Sequence, residues 1–358
     1  MPRYFPPALM NSTLMKVSPV FQSELVGHSG NNLPITLLKF GFGPKRVLMW
    51  SQMHGNESTT TQAVCDLLSW LPTQEQLQKE ITLYIIPQLN PDGAQAYTRM
   101  NAAGVDINRD AATLSQPESK VLHTIFKTFQ PHYCFNLHDQ RTVYGVGDTG
   151  VPATLSFLAP AANAARTVTP ARAKAMQLID AIKNTFDDDF QRRIARYDDT
   201  FNPNCVGDAF TAQGAITLLF EAGHFPNDYE RNHTRTYVLK ALKEALKAIA
   251  KKTYTAHSVE NYFAIPENTK SFVDLIVNNV TLMAKRKVHH NQQLALQFAE
   301  KLDKNKICLA PQFFDFGSAL SVHAHQELEG SVLLHKFPIL FEKEGFATDL
   351  FEKEFFAF

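Results

Sequence analysis

The chain has 358 residues, 44% of them hydrophobic, enough to bury a sizeable core and to exclude global disorder. Its 35 basic and 35 acidic residues cancel, so no bulk field draws it to nucleic acid or to an anionic membrane. Electrostatic recognition must be local, inside a cleft.

The first thirty residues are interrupted by Pro2, Pro6, Pro7 and Pro19 and hold no continuous apolar run, so no secretory signal is expected. Nowhere does the sequence approach the ~20 apolar residues that span a bilayer. Cys65, Cys134, Cys205 and Cys308 are scattered, without the paired spacing of a zinc ribbon or redox pair. They read as free thiols. The expected address is the cytoplasm, with no membrane and no nucleic-acid partner.

From Pro34 to about Lys252, apolar runs alternate with amphipathic ones. That pattern predicts an α/β protein with a mixed, mostly parallel twisted sheet flanked by helices. Strands are expected at Pro34–Lys39, Arg46–Gln52, Ile81–Pro87, His132–Leu137, Ser156–Ala159 and Ala215–Phe220. Helices are expected at Ser58–Leu71, Glu118–Phe129, Pro170–Phe186 and Asn227–Lys251. The last is basic, and its polar face reads as solvated rather than as a membrane or nucleic-acid surface. After Lys252 the alternation stops. Residues 253–358 are expected to form a small, β-rich accessory domain, with strands at SFVDLIVNNVTLM and ALSVHAH and QLALQFAEKL open to either type. Residues 1–252 form the expected catalytic domain.

Four polar clusters lie at or just past apolar strands, where open α/β sheets form their ligand crevice. His54-Gly55-Asn56-Glu57 follows KRVLMWSQM and places an imidazole and a carboxylate three residues apart, with Gly55 allowing the turn. His138 closes HYCFNLH and is followed by Asp139. Two histidines and one glutamate would leave a fourth position open for water, the arrangement of catalytic rather than structural zinc. Glu221 ends AITLLFE, and a buried carboxylate there needs a cation or a solvated cleft. A general base beside a metal-activated water meets that need. Between Asn90 and Asp110, a turn signature NPDG is followed by Arg99, Asn108 and Arg109, donors suited to carboxylates and oxyanions. Taken singly, each cluster also has an ordinary reading: a loop histidine, a helix-capping glutamate, a salt-bridged arginine.

The order HxxE, NPDG, Arg, GVDxNR, His and Glu resembles the zinc carboxypeptidase family over about Pro34 to Lys252. The resemblance implies a mixed eight-stranded sheet, with one zinc ion (Zn2+) on His54, Glu57 and His138 and Glu221 as general base and then acid. It implies that Arg99 polarises the scissile carbonyl, that Asn108 and Arg109 bind a terminal carboxylate, and that Asp106 orients the first zinc histidine. Tyr197 is the candidate for a substrate-capping tyrosine, with Tyr144 as competitor.

Three departures bear on specificity. Asn56 stands where digestive members have Arg. Asp110 puts negative charge beside the supposed carboxylate pocket. GDAFTAQG, from Gly207 and Asp208, resembles the specificity-pocket strand, with Asp208 either selecting basic side chains or serving structure. The expected activity is removal of a C-terminal residue from a peptide. The alternatives are a zinc-dependent deacylase or amidase acting on N-acyl amino acids or cell-wall peptides, and a metal-free binding protein without turnover. The sequence says nothing of oligomeric state.

Overall fold

The computed structural model describes residues 2–17, 19–284, 287–330 and 339–340. The strands are, in chain order, β1 (Gln22–His28), β2 (Pro34–Phe40), β3 (Lys45–Ser51), β4 (Ile81–Ile86) and β5 (Tyr133–Asp139). Next come β6 (Tyr144–Val146), β7 (Leu155–Leu158), β8 (Ile194–Arg196), β9 (Ile216–Ala222) and β10 (Asn268–Lys270). The last described long strands are β11 (Phe272–Ala284), β12 (Lys287–Asp303), β13 (Lys306–Gly317) and β14 (His323–Glu329).

The chain divides into two compact units: Met1–Arg141 with Ala153–Asn268, and Thr142–Pro152 with Thr269–Phe358. The first carries an eight-stranded sheet in the order β1-β2-β4-β3-β5-β9-β7-β8. Its centre is parallel, β4-β3-β5-β9, as is the β7-β8 pair. The pairs β1-β2, β2-β4 and β7-β9 are antiparallel. This is the mixed, helix-flanked sheet expected.

Period-two alternation sorts the central strands into two cores. Val47, Met49, Phe135, Leu137, Leu218 and Phe220 pack on one face under the helices Thr59–Trp70, Pro170–Lys183 and Asn232–Lys251. Leu48, Trp50 and Cys134 lie on the other, under Leu122, Ile125 and Phe126 of Pro117–Phe129 and Val206 and Phe210 of Val206–Ala212. Burial on both faces is why these strands read as continuous apolar runs.

The border between the units falls after Asn268, not after Lys252. Residues 253–268 pack with the first unit because their aromatic side chains do. The Tyr254 and Tyr133 hydroxyls lie 2.8 Å apart, Tyr262 is fully buried and takes the Ala159 N–H on its hydroxyl at 3.1 Å, and Ile265 is buried. Thr142–Pro152, expected in the catalytic domain, groups with the second unit.

In the second unit, the sheet order is β13-β12-β11-β14, with β11-β12 and β12-β13 antiparallel and β11-β14 parallel. β6 and β10 form a short ladder. QLALQFAEKL proves to be strand: as part of β12 it pairs on both sides and buries Leu294, Leu296 and Phe298 in alternation. Buried Asp274 accepts from the Phe298 N–H at 2.7 Å and from the Thr142 hydroxyl at 3.2 Å. The accessory region is thus β-rich, as expected. Among the described residues no helix is long and apolar enough to cross a membrane.

Candidate metal centre

β3 hands the chain to a loop that presents His54 and Glu57. That loop is pinned from two directions. Asn90 donates its side-chain amide to the Met53 carbonyl at 3.1 Å and accepts the Gly93 N–H at 2.9 Å, capping the turn Pro91–Ala96. Gly55 lies directly on this turn: a Cβ there would sit 1.8 Å from the Gly93 carbonyl carbon, so only glycine fits. After Glu57 the helix Thr59–Trp70 begins, its first N–H groups satisfied by Asp139, which accepts from Thr59 at 2.7 Å and Thr60 at 3.1 Å.

His54, Glu57 and His138 then converge, with one ligand atom from each within 4.8 Å of the others. The His54 Nδ1 lies 2.8 Å from Glu57 Oε1, and the His138 Nδ1 lies 2.8 Å from Glu57 Oε2. The two imidazole Nδ1 atoms are 3.2 Å apart. His54 Nε2 donates to Asp106 Oδ1 at 3.0 Å, which leaves Nδ1 as the lone-pair nitrogen facing the other ligands. The Asp139 N–H donates to Glu57 Oε2 at 3.2 Å. Two basic nitrogens and a bidentate-capable carboxylate aimed at one point form the donor set that suits zinc.

Glu221 enters from the neighbouring strand. It is the Cα partner of His138 in the parallel β5-β9 ladder, so both side chains leave the sheet on the same face. Its exposure is 8%. Burial, then the nearby Glu57 and Asp139 charges, push its carboxyl well above the usual range, against the opposing pull of Arg99 and Arg231. Burial acts on Glu57 in the same sense, but His54 and His138 outweigh it and hold Glu57 well below that range. Glu57, Asp139 and Glu221 crowd three carboxyls into one buried spot, where a divalent cation would favour their ionised forms. The residues present fit such an ion.

The other expected residues fall into place unequally. Arg99 joins the cluster: its guanidinium donates to Asp106 Oδ2 at 3.0 Å from Nε and 2.9 Å from Nη2, and Nη1 lies 3.2 Å from His54 Nδ1. With its side chain 42% exposed, it also reaches outward. Buried Asn108 accepts the Val206 N–H on Oδ1 at 3.0 Å, and Arg109 donates to the Asn108 carbonyl at 2.8 Å. Tyr197 follows β8 with its N–H on the Phe157 carbonyl at 2.8 Å. Tyr144 belongs to the second unit.

Two expectations are corrected. Asp110 is not a charge set toward the expected carboxylate pocket of Asn108 and Arg109. It is 3% exposed and accepts from the Ser115 N–H at 3.0 Å, the Ser115 hydroxyl at 2.8 Å and the Gln116 N–H at 2.9 Å, closing the turn before Pro117–Phe129. GDAFTAQG is not a strand: its first residues lie in the helix Val206–Ala212, where buried Asp208 accepts the Asn202 N–H at 2.9 Å. Burial raises the Asp208 carboxyl to about 6.

Arg231 carries no sequence signal yet supports the whole site. Buried between the strand ends, it donates from Nη1 to the Ala222 and Gly223 carbonyls at 2.8 Å each, and from Nη2 to the Gln140 carbonyl at 3.0 Å. It thereby ties the end of β5, which bears His138, to the end of β9, which bears Glu221. Only the two ends' closeness in space gives the residue meaning, so a one-dimensional reading passes over it.

Residues 8–147 match the family described as zinc carboxypeptidase. Over that stretch the chain is similar to the zinc carboxypeptidase family. The matched stretch contains His54, Glu57 and His138, while Glu221 lies beyond it. The probable carboxypeptidase 2 of Arthroderma benhamiae is 29% identical over 98 residues, covering 26% of this chain and 19% of that protein. Carboxypeptidase SOL1 of Arabidopsis thaliana is 25% identical over 138 residues, covering 32% of this chain and 28% of that protein. The alignments therefore span less than a third of these relatives' length. Among solved structures, a metallo-carboxypeptidase from Burkholderia cenocepacia superposes with a TM-score of 0.57 at 18% identity, covering 70% of this chain and 71% of its own. Bovine thrombin-activatable fibrinolysis inhibitor, solved with a tick carboxypeptidase inhibitor, gives 0.55 at 14% identity, covering 70% and 98%. These two likenesses establish a shared fold. Zinc dependence is a property of the family, and the chain has the His-Glu-His set to match it.

Proposed function

We propose that the chain is a zinc metallocarboxypeptidase that hydrolyses the C-terminal peptide bond of a peptide. The observation that carries this reading is the meeting of His54, Glu57 and His138 around one point, with Glu221 beside His138 in the adjoining strand. A single zinc ion held there would supply Lewis acidity, making water nucleophilic near neutral pH and polarising the scissile carbonyl.

The chain's own residues do the rest. Glu221, buried and with a raised carboxyl, accepts the proton of the attacking water and passes it to the departing amine. Arg99 turns its exposed edge to the oxyanion as charge develops there, while Asp106 holds its other edge in place. Arg109 takes the substrate's terminal carboxylate in a two-pronged grip. The Asn108 amide nitrogen assists, its oxygen being occupied by Val206. Tyr197 closes over the bound residue. We also propose a cytoplasmic address, since the four cysteines are free thiols, the state a reducing compartment maintains.

The test is a screen of the zinc-loaded chain against peptides and N-acyl amino acids. Release of the last residue from peptides with a free C-terminal carboxylate, and not from C-terminal amides, is expected. Turnover of N-acyl amino acids alone would replace the peptidase reading with a deacylase.

A further inference from the structure

Gln52 is where β3 ends and the metal loop begins, and its backbone is left-handed, with φ at 50°. A residue with a Cβ holds that conformation only when its surroundings impose it. Here the side chain is 1% exposed and every hydrogen of its amide is used. Nε2 donates to the Gly55 carbonyl at 2.8 Å, bridging the loop from its first residue to the one after His54, and to the Phe5 carbonyl at 3.4 Å. Oε1 accepts from Gln88 Nε2 at 2.9 Å, and Gln88 also donates to the Phe5 carbonyl, at 3.1 Å.

The loop that carries two of the three expected ligands is therefore braced against a buried N-terminal segment. That segment is itself tied down. Phe5 is 1% exposed, the Tyr4 hydroxyl donates to the Gln95 carbonyl at 2.7 Å, Gln62 donates to the Pro2 carbonyl at 2.9 Å, and the Ser58 hydroxyl donates to the Arg3 carbonyl.

We propose that Gln52 is a positioning residue. Through Gly55, Gln88 and the Phe5 carbonyl it fixes the loop that presents His54 and Glu57, and so sets how tightly the chain holds its divalent ion. This rests on the metal reading above. An ion binds the loop conformation in which both ligands face it. A loop that visits that conformation a tenth or a hundredth of the time binds about 10- to 100-fold more weakly. Losses of about that size are typical when supports of metal ligands are removed.

The experiment measures zinc dissociation constants for the full chain by competition with a chromophoric chelator. Gln52→Gly keeps the left-handed backbone accessible and removes the side chain with its amide. Gln88→Leu leaves Gln52 in place and removes its outer support. Gln62→Leu removes a bond to the same N-terminal segment without touching the loop. Zinc binding about 10- to 100-fold weaker is expected for Gln52→Gly and Gln88→Leu, and binding within about twofold of the parent for Gln62→Leu. If Gln52→Gly does not fold, Gln52→Asn takes its place, with an amide one carbon too short to span the loop and the same expected loss. Parental affinity in the Gln52 and Gln88 variants overturns the proposal, as does equal weakening in Gln62→Leu. A parent chain that takes up no zinc sinks the metal reading itself, and this inference with it.

Discussion

His138 and Glu221 are direct partners across the parallel β5-β9 pair, one step before the ladder ends at Asp139 and Ala222. The ladder register, rather than any sequence motif, sets their spacing. Replacing Glu221 by Gln keeps the shape and removes the base. Turnover is expected to fall by about 10²- to 10⁴-fold, with zinc content unchanged by elemental analysis. Near-parental activity would remove Glu221 from its role.

Asp106 joins the first ligand to the arginine, taking His54 Nε2 on one oxygen and Arg99 on the other. In Asp106→Asn the negative charge goes, and with it the preference for the His54 tautomer that leaves Nδ1 free. Zinc affinity measured by chelator competition is expected to drop about 10- to 100-fold.

Asp208 gives a pH signature away from the metal. Burial raises its carboxyl from 3.8 to about 6, so the folded state binds a proton more tightly than the unfolded state does. The sign follows: its contribution is fully present below about pH 4 and is lost as pH rises toward about 6. At neutral pH the wild-type chain is therefore penalised, on the order of 2 kcal/mol. Asp208→Asn should raise the melting temperature at pH 7.5 and lose that advantage near pH 4. A difference that does not vary with pH would contradict this.

Arg231 satisfies three buried carbonyls at the ends of β5 and β9. Arg231→Met takes the donor from the Gln140 carbonyl and leaves the Ala222 carbonyl with the Gln140 N–H and the Gly223 carbonyl with the Thr234 hydroxyl, so denaturant titration should show a loss of about 1–3 kcal/mol. A loss below about 1 kcal/mol would mean that the strand ends are held by other contacts.

How much of this was legible in the sequence follows from where each signal resides. The central strands were readable because burial on both faces makes them apolar throughout. β1 and β8 were not expected: β1 is an edge strand with largely exposed side chains, and β8 has only three residues. The three ligands were legible because metal chemistry restricts residue type. Asp110 and the 207–214 segment were misread because one carboxylate serves equally as a turn cap or a pocket charge, and because short apolar runs suit helix or strand until packing decides. Arg231, Gln52 and Gln88 act on backbone carbonyls, the Gln140 and Phe5 carbonyls among them lying far away in the chain, and such contacts leave no pattern in the sequence. The border near residue 268 was hidden for the same reason, since Tyr254 and Tyr262 find their partners only in the folded unit.

The most direct test of the whole account is an anomalous difference map from crystals of the zinc-loaded chain, collected at the zinc edge. The account predicts one strong peak about 2.0–2.2 Å from His54 Nδ1, His138 Nδ1 and the Glu57 carboxylate. A map with no peak there, or with its peak on other side chains, would contradict it.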